Sequence, residues 1–155
     1  MKHWGCEVVA FSSSESKRAQ ILEMGASRVV NSRKKEDLYT VAGQLDFIIN
    51  TTNVNLDWAA YLIALAPKGR FFNVGMVMKP MAIPNTLLID GEKMIGGSPV
   101  GTPSLMRKML AFCVRHDIYP DVEEFPMEKV NEAMAHLEAG KARFRVVLKL
   151  SLIHI

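Results

Sequence analysis

A run of three serines followed by two cations makes residues 12–18 the stretch of this sequence best suited to hold an anion. Serine hydroxyls, here those of Ser12 and Ser13, donate hydrogen bonds to phosphate oxygens. The ammonium of Lys17 or the guanidinium of Arg18 can neutralise the phosphate charge. Standing alone, the same stretch would be read as a capped helix with a solvated basic first turn. Its interpretation therefore depends on the elements that position these side chains.

Short apolar runs alternate with helical patterns and predict an α/β fold with a mostly parallel sheet. An apolar run at residues 8–11 leads into the serines, and Ser14 is expected to cap a helix that ends at Gly25. Further strands are predicted at residues 28–31, 45–50, 70–74, 93–98, 121–125 and 143–150. Helices are predicted at residues 35–42, 56–65, 104–116 and 127–138, with a turn at 67–69.

Four of the predicted strands end in small, hydroxyl-bearing or glycine residues. In an open α/β sheet, ligands bind beyond the carboxyl ends of the strands, where such residues let a flat polar ligand approach backbone amides. Each set alone is also typical of an ordinary turn, but four at successive strand ends indicate a common cleft. The sets are residues 12–14, 51–53, 75–76 and 98–100.

The residues after the strand at 8–11 indicate which nucleotide this cleft would take. Sheets that bind NAD place an Asp or Glu at the end of their second strand, where it bonds the adenosine ribose. Here Phe11 is followed by Ser12, and no acid occurs before Glu15. A carboxylate would repel a 2′-phosphate, whereas Ser12 and Ser13 can donate to one and Lys17 or Arg18 can neutralise it. The sequence therefore predicts NADP(H).

The composition argues against several other kinds of site. Of 155 residues, 49% are hydrophobic and 23% charged, which predicts a folded chain, and the net charge of +3 is scattered, which does not indicate nucleic acid. The two cysteines and four histidines show no metal-ligand spacing, so no metal site is expected from this chain alone. Without an apolar run of about 18 residues or a signal-peptide core, no membrane association is expected and a cytoplasmic location is predicted.

Six segments, taken in order, carry a resemblance to a known family. They are residues 7–18, 22–26, 46–51, 69–75, 96–101 and 140–148. The set resembles the C-terminal half of zinc-dependent medium-chain alcohol dehydrogenases, in the NADP-using branch that includes cinnamyl alcohol dehydrogenase. The resemblance implies a partial NADP-binding Rossmann domain at residues 1–118 and a segment at 119–150 that returns toward the catalytic domain. Residues 151–155 are expected to be a non-native tail.

The resemblance assigns the adenosine and pyrophosphate contacts of the cofactor to five positions. Ser12, Ser13 and Lys17 would hold the 2′-phosphate, and Thr51 would lie along the cofactor. Arg145 matches the arginine that contacts the pyrophosphate in this family. A surface arginine on a strand would have the same appearance in the sequence.

The nicotinamide end of the cofactor is assigned to two further strand ends by the same resemblance. Val74 and Gly75 would flank the nicotinamide ribose. Backbone groups near Ser98 and Val100 would meet the carboxamide, and Pro99 and Val100 would also shape the substrate pocket. No residue of the chain is expected to act as a catalytic acid, base or nucleophile.

Two parts of the family pattern are expected to lie outside this chain. One is the first strand of the sheet with its Gly-x-Gly-x-x-Gly loop, expected before Met1; the other is the N-terminal catalytic domain with its zinc ligands. The fold expected here is thus an incomplete Rossmann-type, doubly wound parallel sheet. Because the absent strand is central, the strands at Val8 and Phe47 would have unpaired edges. The isolated chain is expected to be poorly soluble and inactive.

The function implied is hydride transfer between NADP(H) and a primary alcohol or aldehyde, with zinc polarising the oxygen in the full-length protein. Two alternatives stay open: a non-catalytic module that binds or senses NADP(H), and a fragment of a related zinc-free quinone oxidoreductase. Residues 98–102 resemble the subunit interface of the family, so a homodimer is expected for the full-length protein.

Overall fold

The computed structural model describes residues 1–150, and the predicted non-native tail at residues 151–155 lies outside the described residues. The chain divides into two compact units, Met1–Val100 and Gly101–Ile155. Strands and helices alternate in both units, and every strand pairing within residues 1–150 is parallel. The predicted α/β class with parallel strands is therefore confirmed.

The first unit follows the predicted order of elements closely. Its strands are β1 (Val9–Ser12), β2 (Arg28–Asn31), β3 (Leu45–Asn50), β4 (Leu65–Asn73) and β5 (Met94–Gly97). Its helices are α1 (Arg18–Glu23), α2 (Lys35–Tyr39), α3 (Trp58–Ala64) and α4 (Thr86–Ile89), with 3₁₀ turns at Lys2–Trp4 and Glu15–Lys17. The expected cap by Ser14 is wrong, because its side chain makes no capping bond and its hydroxyl lies 2.8 Å from that of Ser16.

The strands of the first unit form two separate sheets. β1 pairs with β2, while β3 pairs with β4 and β4 with β5. β1 and β3 do not pair with each other, so each keeps one edge without a strand partner. This arrangement contains the two unpaired edges that the sequence predicts.

The core of the first unit lies between α3 and the sheet of β3 and β4. The side chain of Asp57 caps α3 by accepting a hydrogen bond from the Ala60 N–H at 3.2 Å. Trp58 and Tyr61 meet the ring of Phe71 edge-on, with centroid distances of 6.0 and 6.4 Å. All three rings are at most 5% exposed. Burying each such side chain contributes roughly 1.5–3 kcal/mol to stability.

β4 begins earlier than the sequence predicts. The turn expected at residues 67–69 lies inside the strand, and the β3–β4 register shifts at this point. Lys68 has a φ of 62°, and its N–H donates to the carbonyl of Gly91 at 2.6 Å. The left-handed backbone of Lys68 therefore produces an irregularity within β4, and the strand continues beyond it.

The second unit, described over residues 101–150, pairs two strands around one helix. Its elements are α5 (Pro103–Arg115), β6 (Val122–Pro126), a 3₁₀ turn at Met127–Lys129, α6 (Val130–Glu138) and β7 (Arg145–Lys149). Glu123 links β6 to α6 and to the segment before β7. Its carboxylate accepts from the Arg143 N–H at 2.5 Å and lies 2.6 Å from Nε2 of His136 in α6. The Arg143 N–H, followed by His136, holds the pKa of Glu123 below its usual value.

The domain division predicted at residue 118 stays a prediction, while α5 groups with the second unit.

Candidate cofactor-binding site

An open groove separates β1 from β3 in the first unit, and we call it the inter-strand groove. Toward the amino ends of the strands its volume is about 480 Å³, with Cys6, Val9 and Phe47 among the lining residues. Toward the carboxyl ends its volume is about 430 Å³. Ser12, Ser13 and Thr51 line this second part, so the groove brings together three of the positions predicted for the cofactor.

Residues 12–17, which we call the serine turn, differ in whether their polar side-chain groups already have hydrogen-bond partners. The hydroxyl of Ser12 donates to the carbonyl of Ser14 at 3.1 Å and accepts from the Ser14 N–H at 3.2 Å. Ser13 and Lys17 are exposed, and within residues 1–150 neither side chain makes a hydrogen bond or an ion pair. Ser13 and Lys17 can therefore bind an anion directly, whereas Ser12 shapes the turn.

Arg18, the other cation of this stretch, has a structural role. Its Nη1 donates to the carbonyl of Val29 at 3.2 Å and lies 3.7 Å from Glu15 Oε1. The guanidinium thereby ties α1 to β2. The residue types alone allowed either Lys17 or Arg18 to bind an anion, and the family resemblance assigned this role to Lys17. Of the two, Lys17 is the one whose side chain has no hydrogen-bond or ion-pair partner within residues 1–150.

The ends of β3 and β4 are held together by their backbones. The carbonyl of Asn50 accepts hydrogen bonds from the N–H groups of both Val74 and Gly75, each at 2.9 Å. A Cβ added to Gly75 would lie 2.0 Å from the carbonyl oxygen of Thr52. Only glycine fits at this distance. The predicted positions Val74 and Gly75 thus lie directly against the segment that contains Thr51.

Asn50 itself is a functional candidate that the sequence analysis missed. It is a polar residue that is only 5% exposed, and it stands at the carboxyl end of a strand, where ligands bind in such sheets. A signal existed in the sequence, because Asn50 closes the apolar strand 45–50. Asn31 and Asn73 close their strands in the same way, however, so sequence alone does not single it out.

Three of the remaining predicted positions, Ser98, Pro99 and Val100, follow the end of β5. Ser98 joins the strand ends, since its N–H donates to the carbonyl of Asn73 at 3.0 Å. Pro99 and Val100 are exposed and do not line the inter-strand groove. Arg145 is an exposed residue of β7 in the second unit. Its contact with a pyrophosphate stays a prediction, as does the substrate pocket at Pro99 and Val100.

The described part of the chain also bears on metal binding, cysteine chemistry and membrane spans. Among residues 1–150, no group of three or more His, Cys, Asp or Glu side chains could hold a metal ion. Cys6 and Cys113 are both free thiols. None of the helices in residues 1–150 has the length and hydrophobicity needed to cross a membrane.

Comparison with known proteins identifies the family. Residues 1–115 match the family model described as zinc-binding dehydrogenase. The chain belongs to the zinc-binding dehydrogenase family. It is 46% identical over 151 residues to the aldehyde reductase AdhA of Synechocystis sp., a match that covers 97% of this chain and 45% of that protein. The chain thus spans less than half the length of the curated relatives it matches.

Solved structures of the same family confirm the predicted fold. A cinnamyl alcohol dehydrogenase from Sorghum bicolor matches with a TM-score of 0.87 at 32% identity, over 95% of this chain and 42% of that one. A CAD from Helicobacter pylori, solved in complex with NADP(H), matches with a TM-score of 0.77 at 28% identity, over 93% of this chain and 41% of that one. The resemblance to cinnamyl alcohol dehydrogenases and the Rossmann-type parallel fold predicted from the sequence are both confirmed.

Proposed function

We propose that this chain forms the NADP(H)-binding part of an alcohol dehydrogenase or aldehyde reductase. The observation that carries the proposal is the serine turn after β1, where Ser13 and Lys17 are exposed and have no partner within residues 1–150. No carboxylate stands at the end of β1 to repel a 2′-phosphate. A hydroxyl and an ammonium placed there favour NADP(H) over NAD(H).

In this proposal the rest of an extended dinucleotide lies across the carboxyl ends of the strands, while the groove between β1 and β3 is where the first strand of the sheet is expected. Ser12 shapes the turn that presents Ser13, and Thr51 lines the same groove. In this proposal Val74 and Gly75 contact the nicotinamide ribose. The backbones near Ser98 and Val100 meet the carboxamide, and Arg145 reaches the pyrophosphate. These residues bind and orient the cofactor.

When bound, NADP(H) would supply the redox chemistry: its nicotinamide would exchange a hydride with the reacting carbon of a primary alcohol or aldehyde. The zinc that would polarise the substrate oxygen belongs, in this proposal, to residues outside these 155. In this proposal residues 1–150 contribute no catalytic acid, base or nucleophile, and the chain by itself is inactive. The names of its relatives, among them an aldehyde reductase and a cinnamyl alcohol dehydrogenase, favour this activity over a sensing module or a quinone oxidoreductase.

The setting of the complete enzyme is part of the same proposal. The two free thiols, Cys6 and Cys113, suit the reducing conditions of the cytoplasm. Small alcohols or aldehydes are the proposed partners. A homodimer formed through the segment near residues 98–102 is proposed for the full-length protein.

The proposal can be tested with two small ligands and the full-length protein that contains this chain. 2′,5′-ADP carries the 2′-phosphate that distinguishes NADP(H), whereas 5′-ADP lacks it. By calorimetric titration we expect the full-length protein to bind 2′,5′-ADP more tightly, and Lys17→Ala to weaken that binding about tenfold, because a charge-assisted hydrogen bond is lost. Binding of 5′-ADP should stay the same.

The neighbouring cation provides the matched control. Arg18→Ala removes the same charge one residue away, but its guanidinium is engaged with Val29. We expect this variant to lose stability and to change the ratio of the two affinities by less than about threefold. Equal affinity of the unmodified full-length protein for 2′,5′-ADP and 5′-ADP would contradict the proposed cofactor.

A further inference from the structure

We infer that Asn50 is a positioning residue that fixes the spacing of two loops at the cofactor cleft. The first, which we call the Thr51 loop, comprises residues 51–53 after β3; the second, the Gly75 loop, comprises residues 74–76 after β4. Asn50 lies at the point where both loops leave the sheet. That these loops contact a cofactor rests on the proposed function; that Asn50 anchors them rests on the contacts given below.

The side chain of Asn50 holds the Thr51 loop. Its Oδ1 accepts two hydrogen bonds from Thr52, one from the N–H at 3.0 Å and one from the hydroxyl at 2.8 Å. Two bonds to one residue fix both its backbone and its side chain. The Thr51 loop therefore turns at a position set by a single amide oxygen.

The same residue holds the Gly75 loop through a different set of atoms. Its carbonyl accepts from the N–H groups of Val74 and Gly75. Its Nδ2 donates to Oδ1 of Asn73 at 2.9 Å, and Asn73 in turn donates to the sulfur of Met81 at 3.3 Å. Asn50 and Asn73 are directly paired in the β3–β4 register, so this link lies across the last rung of the sheet.

The two loops are also in direct contact, which makes their positions interdependent. The backbone of Gly75 lies against the carbonyl of Thr52, because a Cβ added to Gly75 would be 2.0 Å from that oxygen. There is no room for a side chain here. A shift of Thr52 must therefore move the Gly75 loop or open a gap beside it. Because Asn50 fixes Thr52, its side chain indirectly sets the place of Gly75.

Burial makes this arrangement sensitive to change. Asn50 is 5% exposed, and both ends of its side-chain amide have partners. Asn50→Ala would leave the Thr52 N–H and the side-chain oxygen Oδ1 of Asn73 without those partners in a partly buried place, where an unmade hydrogen bond is costly. The chain would relieve this by moving the Thr51 loop toward solvent.

The first test measures the loops without any ligand. Amide hydrogen exchange measured on the full-length protein should show faster exchange at Thr52 in Asn50→Ala, by about tenfold, with smaller increases at Val74 and Gly75. Asn85→Ala is the matched control, since Asn85 is exposed and its side chain caps nothing. Unchanged exchange at Thr52 in Asn50→Ala would overturn the inference.

The second test asks whether the anchored loops matter to a ligand. We expect Asn50→Ala to weaken NADPH about tenfold and 2′,5′-ADP by less than about threefold, because only NADPH extends to the nicotinamide end. A residue that merely stabilised the fold would change both affinities alike, and that result would overturn the positioning role. If the full-length protein binds neither ligand, the proposed function fails, and hydrogen exchange still decides the anchoring.

Two milder variants keep the inference testable if Asn50→Ala does not fold. Thr52→Val removes one of the two bonds to Asn50 Oδ1, and Asn73→Ala removes the partner of Asn50 Nδ2. Each should produce the same pattern with a smaller amplitude. The backbone N–H of residue 52 should exchange about threefold faster in Thr52→Val, and the increase should be smaller in Asn73→Ala. If Asn73→Ala affected Thr52 more than Thr52→Val did, the proposed order of anchoring would be wrong.

Discussion

The two sides of the inter-strand groove use their polar groups differently. On the β3–β4 side, the strand ends bind one another through Asn50, and the adjoining core is fully buried around Phe71. On the β1 side, the strand is only half-buried, and Ser13 and Lys17 face solvent with no side-chain hydrogen bond or ion pair to residues 1–150. A ligand would find fixed backbone on one side, and an available hydroxyl and ammonium on the other.

This difference suggests a division of labour within the cleft. Orientation of a reacting ring needs rigid contacts, because a small misplacement is costly to hydride transfer. Recognition of a phosphate needs accessible donors and a positive charge, which tolerate more freedom. The β3–β4 side suits the first task and the serine turn the second.

The largest expected effect tests the rigid side. Phe71→Ala removes a ring that is 1% exposed and touches Trp58 and Tyr61, so we expect a loss of about 3–5 kcal/mol in the free energy of unfolding. Phe11→Ala on the half-buried β1 should cost less, about 1–2 kcal/mol. Urea denaturation of both variants measures the difference. Equal losses would remove the contrast between the two sides.

A second substitution tests the close contact between the strand-end loops. Gly75→Ala would place a Cβ 2.0 Å from the Thr52 carbonyl oxygen, which forces backbone movement and should cost about 1–3 kcal/mol. Gly97→Ala is the matched control, since the nearest atom to its added Cβ is the Asn73 carbonyl oxygen at 3.6 Å. Thermal unfolding should show a clear drop for the first variant and little change for the second. A Gly75→Ala protein as stable as the unmodified chain would show that the loops are not tightly joined.

The smallest expected effect concerns Tyr61, whose ring joins the two sides. It packs against Phe11 of β1 at a centroid distance of 5.0 Å and against Phe71 of β4. Burial, and secondly the carboxylate of Asp57, raises the pKa of Tyr61 above its usual value of 10.0. The unfolded chain therefore loses this proton first as pH rises, so the contribution of Tyr61 to stability is full below pH 10.0 and is lost above it.

Tyr61→Phe should be nearly neutral at pH 7 and should reduce the alkaline loss of stability. Melting temperatures measured from pH 7 to pH 11 check this, with Tyr39→Phe as the control because Tyr39 is 43% exposed. If both variants gave the same alkaline profile, the buried phenol would not be the group responsible.

Much of the fold follows from the sequence because strands of a parallel sheet are apolar along their whole length. The strands at 28–31 and 45–50 are observed with the predicted bounds for this reason. The irregularity at Lys68 was not predictable, because it depends on a left-handed backbone and on a hydrogen bond to Gly91, distant in the chain. Pro67 and Gly69 on either side are typical of a turn.

The site was predictable in kind but not in detail. The residue types at 12–18 indicate an anion site, yet the choice between Lys17 and Arg18 depends on Val29, whose carbonyl engages Arg18 from the next strand. Three strands end in asparagine, and only burial and tertiary hydrogen bonds distinguish Asn50 from Asn31 and Asn73. Such differences arise from tertiary packing, which a local sequence pattern does not predict.

The central claim is that the turn after β1 selects the 2′-phosphate. Ser12→Asp in the full-length protein tests it most directly. The carboxylate loses the donation to the Ser14 carbonyl but can still accept from the Ser14 N–H, and its charge repels a 2′-phosphate and suits ribose hydroxyls. The measurement is the ratio of NADPH to NADH affinity in the unmodified full-length protein and in the variant. The account predicts a preference for NADPH that shifts toward NADH by about tenfold or more. A ratio unchanged by the substitution would contradict it.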